Sequence, residues 1–228
     1  MSKAAVVGLV TIGQSPRADV VPDMATILGP GVEIREAGAL DDLPRSEIEA
    51  LTPTANDEIL VTRLRDGTSV FLGKPKIVKL VEARIAQLER DGANLTALLC
   101  TGAFPRLHAT RPLIQPQPVL LGLLRGTSWP GHLGILTPST RHVPQTEARW
   151  RRDGFDTIVT PLSPYEEDDP AAVRRTATAM RDGSAGLIVM DCMGFRRKTR
   201  DELRALTGVP VLLANLLLAR VIAEASGV

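Results

Sequence analysis

Two cysteines are the residues of this sequence whose positions most clearly suggest chemistry. Cys192 comes just after the apolar residues 187–190, and Cys100 follows a second, mostly apolar run at 95–99. Such runs are typical of strands buried inside a parallel sheet, and ligands bind beyond the carboxyl ends of these strands. Two thiols placed there can act as the base and the acid that remove a proton from carbon on one face of a small molecule and return it on the other.

A simpler interpretation treats each cysteine as a small apolar residue of the core, because free cysteine is among the most buried residue types. The equivalent placement of both thiols at strand ends favours the catalytic interpretation. Asp191 directly precedes Cys192. Because side chains alternate along a strand, we expect Asp191 to point away from the thiol's side, as a buried acid with its own partners.

Small polar residues flank both predicted strand ends and supply neutral donors for a substrate carboxylate, with backbone N–H groups assisting. An arginine among them can clamp a carboxylate with two hydrogen bonds. The candidate substrate-binding residues are Thr11, Gln14, Ser15, Arg17, Thr101, Gly102, Thr137, Ser139, Thr140, Met193 and Gly194. Two alternatives stay open: Ser15 and the hydroxyls of 137–140 can cap helices, and Arg17 can be a surface residue of a first helical turn.

Strand and helix patterns alternate along the whole chain, which predicts an α/β fold with a mostly parallel sheet and covering helices. A helix is expected over residues 16–28, with Ser15 as its N-cap and Pro16 at its first position. Asp66-Gly67 lies between two strand-like segments and predicts a β-hairpin over 58–72. The apolar run at 119–124 is predicted as a further strand.

An internal repeat divides the chain. The sequence Gly-Leu-Val-Thr at 8–11 is matched by Gly-Ile-Leu-Thr at 134–137, and the Cys100 region by Cys192 and its successors. We therefore predict two pseudo-symmetric α/β halves, 1–125 and 126–228, each with a mostly parallel sheet flanked by helices, facing a central cleft. The hairpin is an insertion in the first half, and packing of the C-terminal helix against the first half is compatible with this division.

Composition and motifs exclude several classes of function. A net charge of +1 and 3% aromatic residues argue against a nucleic-acid or anionic-membrane partner. No dinucleotide fingerprint, nucleophile elbow or metal-ligand spacing of histidines is found, so no cofactor and no metal are expected. Two cysteines do not make a disulfide framework. No segment has the pattern of a signal peptide or the length of a membrane span. We expect a cytoplasmic protein with reduced thiols.

Three segments carry a family resemblance: Thr-Ile-Gly-Gln-Ser-Pro-Arg at 11–17, Asp-Cys-Met-Gly-Phe at 191–195 and Val-Pro-Val-Leu-Leu-Ala-Asn at 209–215. In these the chain resembles the AroM family, which is similar to the aspartate/glutamate/hydantoin racemase superfamily. The resemblance implies two pseudo-symmetric halves with one catalytic cysteine each, Cys100 and Cys192, and a carboxylate-binding role for Thr101. That superfamily commonly has threonine where this chain has Met193.

The leading hypothesis is a cofactor-independent racemase or epimerase that moves the α-proton of a small carboxylate or cyclic amide between Cys100 and Cys192. A second hypothesis is an isomerase or decarboxylase of the same fold in which one cysteine carries the chemistry. A third, from another class, is a small-molecule sensor or binding protein with inert thiols. The expected partner is a small-molecule carboxylate or amide, and the fold type is compatible with a homodimer.

Overall fold

A computed structural model of the protein describes residues 5–166 and 169–227. The chain forms an α/β fold with two compact units. The first half comprises the residues up to 119 together with those from 218 onward, and the second half comprises residues 120–217. Each half contains a four-stranded sheet with its own helices.

The first half is built on a parallel sheet with strand order β2-β1-β5-β6. Its central strand β1 is apolar and buried over almost its full length, as expected for a strand covered on both faces. Its elements are β1 (Ala5–Thr11), α1 (Val21–Leu28), β2 (Val32–Gly38), α2 (Arg45–Ala50), β3 (Ile59–Arg63), β4 (Ser69–Gly73), α3 (Lys74–Arg90), β5 (Leu95–Leu99) and β6 (Leu113–Ile114).

The predicted hairpin insertion is confirmed. Strands β3 and β4 pair antiparallel, from Ile59 opposite Gly73 to Arg63 opposite Ser69. The Leu64 N–H also bonds the Thr68 carbonyl at 2.8 Å, so the turn itself comprises residues 65–67. Gly67 adopts a left-handed φ of 86°, which explains the glycine at the end of this short loop.

The second half repeats the strand arrangement of the first, with order β10-β9-β7-β8 in a parallel sheet. In each half the strand that ends in threonine, β1 or β7, lies beside the strand that precedes a cysteine, β5 or β9. The remaining elements are α4 (Pro116–Arg125), β7 (His132–Thr137), α5 (Val143–Arg152), β8 (Thr157–Pro161), α6 (Pro170–Asp182), β9 (Ala185–Met190), α7 (Arg197–Thr207), β10 (Val211–Leu213) and α8 (Ala214–Ser226). Helices α4 and α8 each cross the division between the two units.

Two predictions of local structure are wrong. The run at 119–124 lies in helix α4, where Gln117, Leu120 and Leu124 are buried at helical spacing. A short apolar run does not distinguish a buried strand from a helix, and the proline at its first turn favoured the helix. Helix α1 begins at Val21 rather than at 16, because residues 15–20 form a loop held by other contacts.

None of the helices formed by the described residues is both long and apolar enough to cross a bilayer.

Candidate functional site

The first half places Cys100 at the carboxyl edge of its sheet. Thr11, the last residue of β1, pairs with Leu99, the last residue of β5, and Cys100 follows directly. Cys100 is 9% exposed, and its sulfur accepts a hydrogen bond from the Gly102 N–H at 3.4 Å. The pairing of β1 with β5 therefore brings Thr11, Cys100, Thr101 and Gly102 to one sheet edge.

Contacts from the hairpin and α3 shape the loop after Cys100. Lys74, the first residue of α3, donates from Nζ to the Ala103 carbonyl at 2.6 Å and forms an ion pair with Glu58. A Cβ atom at Gly102 would lie 2.9 Å from a methyl group of Leu60 on β3, so only glycine fits this close approach without a shift. The insertion thus supports the thiol-bearing loop.

Arg17 is buried, with 3% exposure, so the surface alternative for this residue is wrong. Its Nη1 donates to the Thr11 hydroxyl at 3.0 Å, while Nε and Nη2 each donate to Asp19 at 2.8 Å. Burial opposes ionisation of Asp19, but the hydrogen bond and charge of Arg17 outweigh it and hold the pKa of Asp19 below its usual value. Arg17 therefore fixes the hydroxyl of Thr11 beside the sheet edge.

Gln14 and Ser15 bond to neighbouring loops. Gln14 Nε2 donates to the Leu40 carbonyl at 3.3 Å, and its Oε1 accepts from the Arg65 N–H at 2.9 Å. The Ser15 hydroxyl donates to Asp41 at 2.7 Å, so this serine does not cap helix α1. A cavity of about 320 Å³ lies against this loop and is lined by Gln14, Pro16, Arg17, Ala18, Asp19, Arg63, Leu64, Arg65 and Gly67.

The Asp41 carboxylate ties this loop together. It accepts from the N–H of Ser15 and of Gly38 at 2.7 Å each, from the Ser15 hydroxyl, and from Arg65 at 2.9 Å. We expect Asp41→Ala to lower the free energy of unfolding by about 2 kcal/mol, because the half-buried donors of Ser15 and Gly38 lose their acceptor. Urea unfolding measures this. Asp42→Ala is the matched control, since the Asp42 side chain is 78% exposed and its ion pair with Arg84 should contribute about 0.5 kcal/mol. Equal losses in both variants would contradict the assigned role.

The second half places Cys192 at the carboxyl edge of its sheet, as the first half does with Cys100. The Asp191 N–H bonds the Leu136 carbonyl at 2.9 Å, which places Cys192 just beyond the end of β7, where Thr137 lies. Cys192 is 7% exposed. Its sulfur lies 3.8 Å from the hydroxyl of Tyr165, a residue in the loop after β8. Sequence patterns did not single out Tyr165, because nothing near it in the chain signals the contact.

Asn215 positions the loop that follows Cys192. Its Nδ2 donates to the carbonyls of both Met193 and Phe195 at 2.8 Å, and the side chain is buried. The family motif at 209–215 ends at Asn215, but the motif does not indicate which groups this side chain contacts. Its two hydrogen bonds hold Met193 and Gly194 at the sheet edge beside the thiol.

Asp191 is the buried acid that the strand alternation predicted. It accepts from the Trp150 indole N–H at 2.9 Å and forms an ion pair with Arg149, both on helix α5. The side chain of Asp191 is 1% exposed and that of Arg149 is 12% exposed. The carboxylate therefore anchors the strand end that carries Cys192 to a covering helix.

Two hydroxyls of the 137–140 segment have partners within the second half. Thr137 and Thr146 share a hydrogen bond of 3.0 Å, and the Ser139 hydroxyl bonds His142 Nδ1 at 2.8 Å. Thr140 is exposed. A cavity of about 550 Å³ opens here, lined by Ser139, Thr140 and Phe195, by residues 161–164 and Glu166 of the loop after β8, and by the first two turns of α6 and α7. This volume is in the range of small-molecule sites.

Burial, with the charges of Arg141 and Arg149 adding to it, lowers the pKa of His142 from 6.5 to about 4, although Asp191 acts in the opposite direction. The folded protein therefore keeps His142 neutral where the unfolded chain takes up a proton. Stability should fall as pH drops from 6.5 towards 4, by at most about 3 kcal/mol, and His142→Asn should remove this part of the decline.

Urea unfolding across that pH range measures the effect. His108→Asn is the control, because His108 is exposed and its substitution should leave most of the decline in place. Identical pH dependence in the His142 variant and the unmodified protein would contradict the prediction.

Across the described ranges 5–166 and 169–227, no group of three or more His, Cys, Asp or Glu side chains is arranged to hold a metal ion. The structure instead brings together two clusters, one in each half. The first contains Thr11, Arg17, Cys100, Thr101 and Gly102, and the second contains Thr137, Cys192, Met193 and Gly194. Gln14 and Ser15 bond instead to the neighbouring loops that carry Leu40, Asp41 and Arg65, and Ser139 and Thr140 line the cavity of about 550 Å³, whose lining includes Phe195 but neither thiol. Each cluster pairs a buried thiol with hydroxyl and backbone donors.

A family model described as AroM protein matches residues 7–225 of the chain. No match was found among functionally curated proteins.

Solved structures show the same fold at low sequence identity. The maleate isomerase Iso from Pseudomonas putida S16 aligns with a TM-score of 0.67 and 12% identity, covering 98% of this chain and 93% of that chain. The aspartate racemase of Picrophilus torridus aligns with a TM-score of 0.62 and 14% identity, covering 98% and 94%. An unliganded arylmalonate decarboxylase gives 0.63 and 14%, covering 97% and 92%.

Proposed function

The chain belongs to the AroM protein family, and on this premise we propose that it is a racemase- or epimerase-type isomerase that needs no cofactor. Its substrate is a small carboxylate or cyclic amide with an acidic α-proton. One observation carries the proposal. Both halves place a thiol just beyond a buried strand, at the same edge as a threonine that ends the neighbouring strand. A racemase needs such a pair, because the proton leaves one face of the carbon and returns to the other.

The proposed step is a proton transfer at carbon. One cysteine, as thiolate, takes the α-proton and becomes a thiol, while the electron pair of the broken C–H bond delocalises into the adjacent carbonyl group. The other cysteine, as thiol, gives its proton to the opposite face and becomes a thiolate. The two thiols exchange protonation states, so one turnover leaves the enzyme ready for the reverse direction.

Hydrogen-bond donors at the two sheet edges support binding of the carboxylate or amide. In the first half these are the Thr101 hydroxyl and the backbone around Gly102, with Thr11 held by Arg17. In the second half they are Ser139 and Thr140, which line the cavity of about 550 Å³, and the backbone of Met193 and Gly194. Donors aimed at the oxygen that gains charge stabilise the carbanion-like transition state.

Solvent deuterium tests the proposal. The protein is incubated in deuterated water with a panel of single enantiomers (aspartate, glutamate, allantoin and a 5-substituted hydantoin), and deuterium at the α-carbon is followed by NMR together with optical rotation. We expect deuterium to appear in the inverted product of at least one compound. A protein that binds a panel member, seen as a raised unfolding temperature, yet exchanges no proton would instead be a binding protein with inert thiols.

The one-cysteine isomerase or decarboxylase is the second candidate, and the unlike surroundings of the two sulfurs favour it. Cys100 accepts from a backbone N–H, whereas Cys192 lies beside a phenol. Two compounds, maleate and an arylmalonate, extend the panel to this chemistry. Formation of fumarate from maleate, or release of carbon dioxide from the arylmalonate, would support the one-cysteine mechanism.

A further inference from the structure

Tyr165 is the only tyrosine of the chain, and its hydroxyl lies 3.8 Å from the sulfur of Cys192. The side chain is half-buried. Its ring packs against Gly194, where a Cβ atom would lie only 2.6 Å from the ring carbon Cε1 and 2.9 Å from the hydroxyl oxygen. A residue larger than glycine at 194 would therefore displace the phenol from its present position.

Hydrogen bonds hold both sides of this contact in place. On the tyrosine side, the Ser163 hydroxyl accepts from the N–H groups of Tyr165 and Glu166 at 3.3 Å, and Leu162 donates to the Thr137 carbonyl at 2.9 Å. On the cysteine side, Asn215 bonds the loop that follows Cys192. The approach of hydroxyl to sulfur is thus set by the loop after β8 and by the start of α8, within the second half.

We infer that Tyr165 is a positioning residue that donates its hydroxyl hydrogen to the Cys192 sulfur and raises the thiolate fraction of this cysteine near neutral pH. This role builds on the proposed part of Cys192 in proton transfer. Burial by itself disfavours the charged thiolate, and a hydrogen bond to a charged acceptor offsets that cost. The phenol is the stronger donor of the two groups, and its O–H bond stays intact. The reactive species of a cysteine is its thiolate.

The contact also distinguishes the two thiols. The Cys100 sulfur accepts from the Gly102 N–H, a backbone donor that no side-chain substitution deletes. The donor beside Cys192 belongs to a side chain, so it can be removed by the loss of one oxygen atom. Tyr165→Phe keeps the ring over Gly194 and deletes only this hydroxyl.

The test titrates Cys192 without any substrate. Thiolate formation is followed by ultraviolet absorbance against pH in the Cys100→Ser protein, with the Cys100→Ser/Cys192→Ser protein as the blank. We expect Tyr165→Phe to move the midpoint up by about one pH unit, which is about tenfold less thiolate near neutral pH. Thr178→Ala removes a hydroxyl from the exposed face of α6 and should leave the midpoint unchanged.

Gly194→Ala provides a second variant that displaces the hydroxyl instead of deleting it. We expect it to move the midpoint in the same direction, and to add no further shift when combined with Tyr165→Phe. A midpoint unaffected by Tyr165→Phe would overturn the inference. Because no substrate is present, the titration is independent of the exchange test. A shifted midpoint without any proton exchange would support the role of Tyr165 and contradict the proposed function. Proton exchange with an unshifted midpoint would support the proposed function and contradict the role of Tyr165.

Discussion

Replacing either cysteine with serine should reduce racemisation of an accepted substrate by about a thousandfold, because the serine hydroxyl stays protonated near neutral pH and cannot serve as the base. In the two-thiol mechanism Cys100→Ser and Cys192→Ser both stop inversion, since each removes one of the two proton carriers. Chiral chromatography measures inversion, and NMR in deuterated water measures exchange at the α-carbon.

The pattern over the two variants separates the mechanisms. Loss of inversion in both supports proton transfer between two thiols, and loss in only one supports the one-cysteine isomerase or decarboxylase. Exchange that persists in both variants would refute the two-thiol scheme. Both side chains are buried and serine is slightly smaller than cysteine, so urea unfolding should accompany the assay and show folded protein in each case.

Asp191→Ala should produce the largest loss of stability, about 3–5 kcal/mol in the free energy of unfolding. Removal of the carboxylate leaves the guanidinium of Arg149, which is 12% exposed, without its ion pair, and the Trp150 indole N–H without its acceptor. Asp191→Asn keeps a carbonyl oxygen for Trp150, so it should lose less. Urea unfolding of the unmodified protein, Asp191→Ala and Asp191→Asn measures the three free energies of unfolding.

Asp201→Ala is the matched control for this loss. Asp201 also pairs with an arginine, Arg200, but its side chain is 53% exposed. Exposed ion pairs contribute little, so its removal should change stability by about 0.5 kcal/mol or less. A loss in Asp191→Ala as small as that of the control would show that the buried pair does not anchor the strand end.

Local patterns predicted much of the architecture. Apolar runs identified the strands that end before Cys100 and Asp191, and Asp66-Gly67 identified the hairpin, because burial and turn chemistry act over a few neighbouring residues. The same patterns failed at 119–124, where an apolar run fits both a strand and a helix. They also failed at Ser15, whose hydroxyl found an acceptor in Asp41, 26 residues away, instead of capping a helix.

The sequence by itself determined that two thiols follow buried strands, that each strand end is rich in small polar residues, and that the two halves share one pattern. Only the tertiary structure decided which side chains meet those thiols. Tyr165 lies 27 residues from Cys192 along the chain, and Asn215 lies 22 residues from the Met193 carbonyl that it holds. Such contacts depend on the order in which the strands pair, and strand order is set by packing of the whole sheet, which no short segment encodes.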